Sequence, residues 1–394
     1  MANTFKFGNK NWAVKEDYVL AYNDENDNFK PLPFDFTRAS TATYVDSDGL
    51  IKTAAAGHAR IDYTDNTDGH LLLEPSRTNL NTLSDPTDAQ KGSTSYASVT
   101  FQDDFNWALG SLLENAIVFG DNSTTRYSYY SNTVSSGTVY SLSFFIKMDD
   151  NSIPIPATDF LLVLAGTGIA SGYNIDDYGN NVYRVSVTGT AGASNTSNGI
   201  LKLASHSAKT FKITGFQIEA GSYATSYIPT EGASVTRTAD SCINKNLQNV
   251  INSTEGVFYF EGSALNDDGT NRYLSLNDES GSNYIYFRYV STSNQYLFRT
   301  AVGGVTVNTL SAYLSDTTEN HKFALKFKSG DYAMWVDGVE ISTDTSATIF
   351  SSNTLTTLEF DFPTDGADSF HTKTKNIRIY NTALTDAELK TLTT

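Results

Sequence analysis

The sequence predicts an all-β protein: an irregular N-terminal segment, two β-sandwich (jelly-roll) domains and a short C-terminal helix. Three observations carry that prediction. Apolar and polar residues alternate with period two in one run after another. The runs are rich in β-branched and aromatic residues, and clusters of Gly, Asn, Asp and Ser separate them. Many short strands with frequent turn signals favour sandwiches over α/β units.

Taken in chain order, residues 1–78 are rich in Asp and Asn, with strands hard to place, and read as an attachment or oligomerisation segment. Residues 79–230 form one strand-rich block, where Tyr140–Lys147 (YSLSFFIK), Asn181–Val187 (NVYRVSV) and Thr210–Glu219 (TFKITGFQIE) alternate. Tyr227-Ile228-Pro229-Thr230 reads as the exit from its core, and 231–253 as a connector. Residues 254–394 form a second block, with Gly256–Phe260, Tyr284–Tyr289, His321–Lys328, Tyr332–Val336 and Asn376–Tyr380 as strands. Between Val336 and Val339, Asp337-Gly338 signals a two-residue hairpin, because Asp-Gly accepts the positive φ angles of a type I′ turn. Trp335, mid-strand before that turn, reads as core. Thr385–Leu392 reads as a helix, with Thr385 as N-cap and Glu388 completing a capping box. No repeat of about 20–50 residues is visible, so a solenoid or propeller is not expected.

Composition excludes whole classes of function. Against 27 basic side chains stand 44 acidic ones, a net charge of −17 that repels phosphate, so nucleic-acid binding through a basic surface is excluded. Charged residues make up 18% and aromatics 12%, the opposite of a disordered composition. The single thiol, Cys242, excludes an internal disulfide framework or a Cys-rich zinc site. No basic region followed by an apolar stretch opens the chain, so no signal peptide is expected. The longest apolar run, around Phe160 to Gly166, is far short of the ~20 residues that span a bilayer, and membrane insertion is not expected.

Two strings carry a resemblance. Phe36-Thr37-Arg38-Ala39-Ser40-Thr41-Ala42-Thr43-Tyr44-Val45, with Gly49-Leu50-Ile51 and then Leu71-Leu72-Leu73-Glu74-Pro75-Ser76-Arg77-Thr78-Asn79-Leu80, resembles a segment recurrent in bacteriophage tail and virion fibre proteins. The run from Ile213 to Thr230 (ITGFQIEAGSYATSYIPT) resembles the closing strand and exit of the carbohydrate-binding-module-like jelly roll that follows it there. The C-terminal block, through His321–Lys328, Tyr332–Val339 and Asn376–Leu389, is similar to the laminin-G/concanavalin-A-like lectin superfamily. The resemblance covers nearly the whole chain from about residue 34. It implies a non-enzymatic phage virion structural protein: a tail fibre, a receptor-binding protein or a capsid decoration. Made in the host cytoplasm and exposed on the particle surface, it would partner other virion proteins and itself, as a homo-oligomer with a trimer favoured. Host-surface glycans are the expected ligands, and a purely structural decoration protein without ligand is a further reading.

The candidate sites follow from chemistry. Glycan binding needs aromatic platforms flanked by hydrogen-bonding groups. Tyr284, Tyr286, Tyr289 and Tyr296 supply rings, with Asn271, Arg272, Asn283 and Asn294 as polar partners; Tyr127, Tyr129 and Tyr130 form a second cluster. Tyrosines at alternate strand positions also serve as cross-strand packing pairs. No cofactor is required, but calcium is compatible with Asp267-Asp268-Gly269, as it is with Asp46-x-Asp48-Gly49 and Asp24-x-Asn26-x-Asn28. Phe29 and Asp35 stand where an EF-hand needs Gly and a bidentate Glu, and each of these strings is equally an ordinary turn.

Catalysis is the alternative. Concanavalin-like folds also host retaining glycoside hydrolases, whose two carboxylates sit ~5–5.5 Å apart. Glu359 and Asp361 alone have that i, i+2 spacing within a strand, and a polysaccharide depolymerase would use them. The hydrolase pattern continues Glu-x-Asp-x-Glu, and Pro363 occupies the third place here. Alternation alone accounts for the pair as a solvent-facing edge. There is no Gly-x-Ser-x-Gly elbow, no close histidine pair among His58, His70, His206, His321 and His371, and no phosphate loop. Glu74 and Arg77, three apart beside Pro75, read as a structural ion pair or a contact to a neighbouring subunit.

Overall fold

The structure, a computed structural model, describes residues 5–10, 12, 14–15, 18–23, 30–64, 66–86, 96–362 and 369–394. Asp24, Asn26, Asn28 and Pro363 lie outside the described residues. Among the described residues the secondary structure is β, with one helix at Asp386–Thr393.

The middle sandwich is built from two antiparallel sheets. A five-stranded sheet runs Tyr96–Ala97, Arg126–Val134, Asn195–Lys202, Leu161–Leu164, Thr167–Ile169. Facing it is a six-stranded sheet in the order Thr100–Gln102, Ala116–Phe119, Phe211–Ala220, Val139–Met148, Tyr183–Thr190, Tyr173–Asp177. Alternation decides which side chains meet. Phe144, Ile146, Val185, Ile213 and Ile218 from one sheet and Tyr130, Leu162 and Ile200 from the other close one core, with Phe160 and Phe216. Removing this much apolar surface from water is the main stabilising term.

The second sandwich joins both ends of the chain. In its back sheet, Glu255–Ala264 lies between His321–Lys328 and Thr372–Tyr380, and Phe5–Gly8 pairs with the far side of Thr372–Tyr380. The front sheet runs Lys30–Thr37, Ser241–Asn244, Thr357–Glu359, Arg272–Asn277, Tyr284–Tyr289, Gln295–Val302, Val305–Tyr313. Tyr18–Asn23 pairs with Phe5–Gly8 and with Lys30–Thr37, so it ties the two sheets. Phe5, Phe7, Phe34 and Phe36 lie in one core with Phe260, Phe287, Phe323 and Phe360. The pairings therefore join residues 5–37 to the C-terminal block, whereas the sequence reading sets 1–78 apart as one unit. The physical reason is the alternation Phe5-x-Phe7 and Phe34-x-Phe36, which sends two rings from each short strand into the shared core.

Local signals in the C-terminal block hold closely. Val336 pairs with Val339 across the hairpin, with φ of 47° at Asp337 and 80° at Gly338. The helix carries the capping box between Thr385 and Glu388. Its Leu389 and Leu392 cover Val257, Tyr259 and Trp335 on the outside of the back sheet, so Trp335 is buried beneath the helix rather than between the sheets.

A buried ion network lies where the two sandwiches and the residues between them meet. Arg38, Arg60, Glu74, Arg237 and Asp240 are each at most 3% exposed. Asp240 receives Arg38 Nη1 at 3.0 Å and Arg60 Nη2 at 2.5 Å. Glu74 receives Arg60 Nη1 at 2.6 Å and Arg237 Nη1 at 2.9 Å, together with the Ser226 backbone N–H and hydroxyl, each at 2.7 Å. Burial alone would raise the Glu74 carboxyl, but Arg237, Arg60 and the Ser226 donors hold it well below the usual carboxylate range. This corrects the expected Glu74–Arg77 pair. Glu74 pairs with Arg60 and Arg237 instead, and Arg77 lies over the Tyr223 ring at 5.4 Å. Pro75 disfavours helix at Glu74, so the i, i+3 spacing does not bring the two side chains together.

Two outcomes follow for stability. Glu74→Ala leaves Arg60 and Arg237 buried without their shared carboxylate and should cost about 3–5 kcal/mol in a urea unfolding measurement. A loss below about 1 kcal/mol, the range of surface pairs, would show the network to be dispensable. Burial also lowers the imidazoles of His70 and His371, the latter to about 4. Below pH 6.5 the unfolded chain takes up protons at these sites and the folded chain does not. Stability should therefore be full above that pH, fall as pH drops towards about 4, and fall less steeply in His371→Gln.

Candidate functional site

The front sheet of the C-terminal sandwich presents its second face outward. Along Tyr284–Tyr289, Ile285, Phe287 and Tyr289 enter the core while Tyr284, Tyr286 and Arg288 take the other side. Register pairing brings Tyr273 opposite Arg288 and Arg299 opposite Tyr286. The result is an aromatic cluster outside the main core. Tyr284 and Tyr286 stack at 5.2 Å with 20° between planes, Tyr273 meets Tyr286 edge-on at 4.9 Å, and Phe362 meets Tyr284 at 5.5 Å.

Two guanidiniums lie over these rings. Arg288 sits 5.2 Å from the Tyr273 centroid and donates from Nη1 to the Tyr273 hydroxyl at 2.6 Å. Arg299 lies 5.9 Å from the Tyr286 centroid and donates from Nε to Thr309 Oγ1 at 3.2 Å. Cation–π contact and hydrogen bonding hold both long side chains against the rings, with the Arg288 Nε buried. Burial pushes the Tyr286 hydroxyl up to about 12. With Tyr273 and Tyr286 buried beneath the guanidiniums, the face offers the half-buried Tyr284 and Phe362 rings beside cationic donors.

Glu359 belongs to the same face. It pairs with Ser275 across the sheet and receives Asn277 Nδ2 at 3.2 Å. Burial raises its carboxyl, and Asp361 adds to the effect. The Asp361 carboxylate accepts the Phe362 N–H at 2.7 Å and the Ser369 hydroxyl at 2.9 Å. Phe360 between them points into the core, which is why both acids face outward.

Of the tyrosines read from sequence, Tyr284 and Tyr286 come together and Tyr289 and Tyr296 do not join them. Those two fall on the inward phase of their strands, inside the core, and this corrects their reading as platforms. Tyr286 is on the outward phase but is covered by its neighbours to 2% exposure, which leaves Tyr284 as the half-buried ring of the pair. The four polar candidates serve turns instead. Asn271 Oδ1 accepts the Ser291 N–H, Asn294 Oδ1 the Thr317 N–H, and Asn283 bridges Asp278 and the Gly303 N–H. Arg272 donates to Asp268 at 2.9 Å and to the Asn266 carbonyl at 3.0 Å.

The two calcium candidates diverge. Asp268 is engaged by Arg272 and by the Ser222 hydroxyl at 3.0 Å, while Asp267 accepts from Ser293 and the Asn294 N–H. In Asp46-x-Asp48-Gly49, Asp46 Oδ1 accepts the N–H groups of Asp48 and Leu50, an Asx turn closed on itself. Among the described residues, no three His, Cys, Asp or Glu side chains gather where they could hold a metal ion.

In the middle sandwich, Tyr127 and Tyr129 stack at 4.7 Å on the outer side of Arg126–Val134, whereas Tyr130 packs inward on Phe216 at 4.2 Å. Sequence reasoning missed Tyr273, Arg288, Arg299 and Phe362. Period two would have found Arg288, two places after Tyr286. Arg299 reaches the cluster only through cross-strand register.

No family model matches the chain, and no curated protein matches its sequence. Solved structures give local likenesses. The CBM40 of the Ruminococcus gnavus IT-sialidase shares 15% identity over 38% of this chain and 91% of its own, with a TM-score of 0.32. The leech intramolecular trans-sialidase shares 18% over 36% and 23%, at 0.30, and the heptameric SAP-like pentraxin from Limulus polyphemus 11% over 36% and 71%, at 0.27. This chain is similar to those proteins only to that extent, and likenesses of this size assign neither ligand nor activity.

Proposed function

We propose that this chain binds glycans without cleaving them, through the outward face of its C-terminal sandwich, as a surface component of a bacteriophage particle. The observation that carries the reading is the Tyr284–Tyr286 stack with Arg288 and Arg299 laid over neighbouring rings. Sugar C–H faces stack on aromatic rings, and their hydroxyls need fixed donors and acceptors at the rim. Arg299 and Glu359, both half-buried, supply those at positions set by the sheet. A single site of this openness is weak. An oligomer on a particle gains ~10²–10⁴ in effective affinity from repetition, which suits adhesion to a polysaccharide surface. The virion setting rests on the Phe36–Val45 and Leu71–Leu80 strings.

A depolymerase would need Glu359 as a proton donor with a second carboxylate ready to attack. Glu359 has the raised carboxyl that a donor requires, but Asp361 is already engaged by Phe362 and Ser369. Binding is therefore the first reading and hydrolysis the second.

On an array of bacterial surface glycans the intact chain should bind at least one structure. Tyr284→Ala and Arg299→Ala should each weaken that binding by about tenfold or more while the unfolding midpoint holds. Retention of full binding by both variants would remove the site. The double variant Glu359→Gln, Asp361→Asn should leave no polysaccharide-cleaving activity to lose. Any cleavage by the unaltered chain that disappears in this variant would replace the binding reading with hydrolysis.

A further inference from the structure

A polar cavity lies at the junction of the two sandwiches, lined by none of the residues of the outward face just described. The six-stranded sheet of the middle sandwich is apolar on its core side. Its other side carries Asn174 and Asp176 on Tyr173–Asp177, paired in register with Ser186 and Arg184 on Tyr183–Thr190. Part of that side is closed: Phe145 packs with Val45, Ile51 and Tyr227 beneath the hairpin formed by Ala42–Val45 and Ile51–Ala54. The polar part is not closed. It borders a cavity of about 190 Å³, walled on the remaining sides by Asp62, by the Tyr223–Tyr227 stretch, and by Leu265, Asn266 and Lys373 of the C-terminal sandwich.

Where one unit packs on another, a sheet face ordinarily becomes apolar, because each buried polar group without a partner costs free energy. Here the covered face keeps a charged pair. Arg184 is 6% exposed, donates from Nη2 to Ser143 Oγ at 3.0 Å, and its buried Nε has no protein acceptor. Asp62 is 4% exposed and accepts the N–H groups of Val45 and Thr64, each at 2.9 Å, which leaves further lone pairs on both oxygens. The Tyr178 ring meets Phe145 edge-on at 5.1 Å, and its hydroxyl lies beside Arg184.

We infer that this cavity is a binding site for a neutral polyol of monosaccharide size. Size and lining select the class. A cavity of ~150 Å³ accepts a six-membered ring such as benzene when its walls are apolar. This one is slightly larger, and its walls carry donors, acceptors and aromatic edges together. Charge selects neutrality: Asp62 and Asp176 stand against Arg184 and Lys373, while Glu74, which also reaches the cavity, is already shared by Arg60 and Arg237. An anion would lie against two carboxylates and a cation against a guanidinium. Vicinal hydroxyls satisfy both, donating to carboxylate oxygens and accepting from Arg184. Because three parts of the chain form the walls, a bound polyol would also brace the junction.

The test is ligand-detected NMR on the intact chain with neutral hexoses and, in parallel, the corresponding uronic acids. At least one neutral hexose should bind. Measured in a Tyr284→Ala background, which silences the outward face, that binding should fall by about tenfold or more on adding Asp176→Ala or Arg184→Met. Asp176 lies on an edge strand and is half-exposed, so its variant keeps the test intact if Arg184→Met does not fold. In that background, binding that survives both variants, binding of uronic acids alone, or no hexose binding at all would each overturn the inference.

Discussion

Three guanidiniums and two carboxylates, buried together where the sandwiches meet, are the constraint on which the rest of this structure depends. Their members come from widely separated parts of the chain: Arg38 follows the front-sheet strand Lys30–Thr37, Glu74 precedes Arg77–Asn79, and Arg237 and Asp240 lie after the middle sandwich. Charges cannot be left unpaired in such surroundings, so the network forms only when all of these segments are in place. Ser226, at the exit of the middle sandwich, donates to Glu74 and fixes that domain against the same centre. Buried ion pairs contribute little net stability compared with apolar packing, and the value of this one is geometric. It sets one arrangement of two sandwiches that have separate cores.

That arrangement decides what each sheet face can do. Inner faces are aromatic and aliphatic and close two independent cores. The outer back face is capped by the C-terminal helix through Leu389 and Leu392. The outer front face keeps a rim of Tyr, Arg and Glu side chains, and the outer face of the six-stranded sheet ends at a polar cavity on the junction. The proposed sites thus lie on faces that core packing does not need.

How much of this was legible in sequence depends on the range of the interaction. Tyr284–Tyr289, His321–Lys328 and Tyr332–Val336 are strands with the expected bounds, and the Asp337-Gly338 turn and the Thr385 cap were readable, because each is decided by neighbours within a few residues. Phe5-x-Phe7 and Phe34-x-Phe36 carry the same alternation, but nothing local says that their partner is Thr372–Tyr380 or Ser241–Asn244. The site was half legible for the same reason. Tyr284 and Tyr286 lie on one strand, whereas Arg299 joins them through register, and the phase that buries Tyr289 and Tyr296 depends on which face meets the core. Arg38 and Glu74 stood inside recognisable strings, and Arg60 lies only 14 residues from Glu74, but Asp240 and Arg237 are separated from them by more than a hundred residues of intervening chain.

The central claim is that the outward face of the front sheet is where a glycan sits. Hydrogen exchange of the intact chain, with and without bacterial cell-surface polysaccharide, tests it most directly. Protection should rise in Arg272–Asn277, Tyr284–Tyr289 and Gln295–Val302 and leave Glu255–Ala264 unchanged. Protection confined to Arg126–Val134 of the middle sandwich, or absent throughout, would contradict the account.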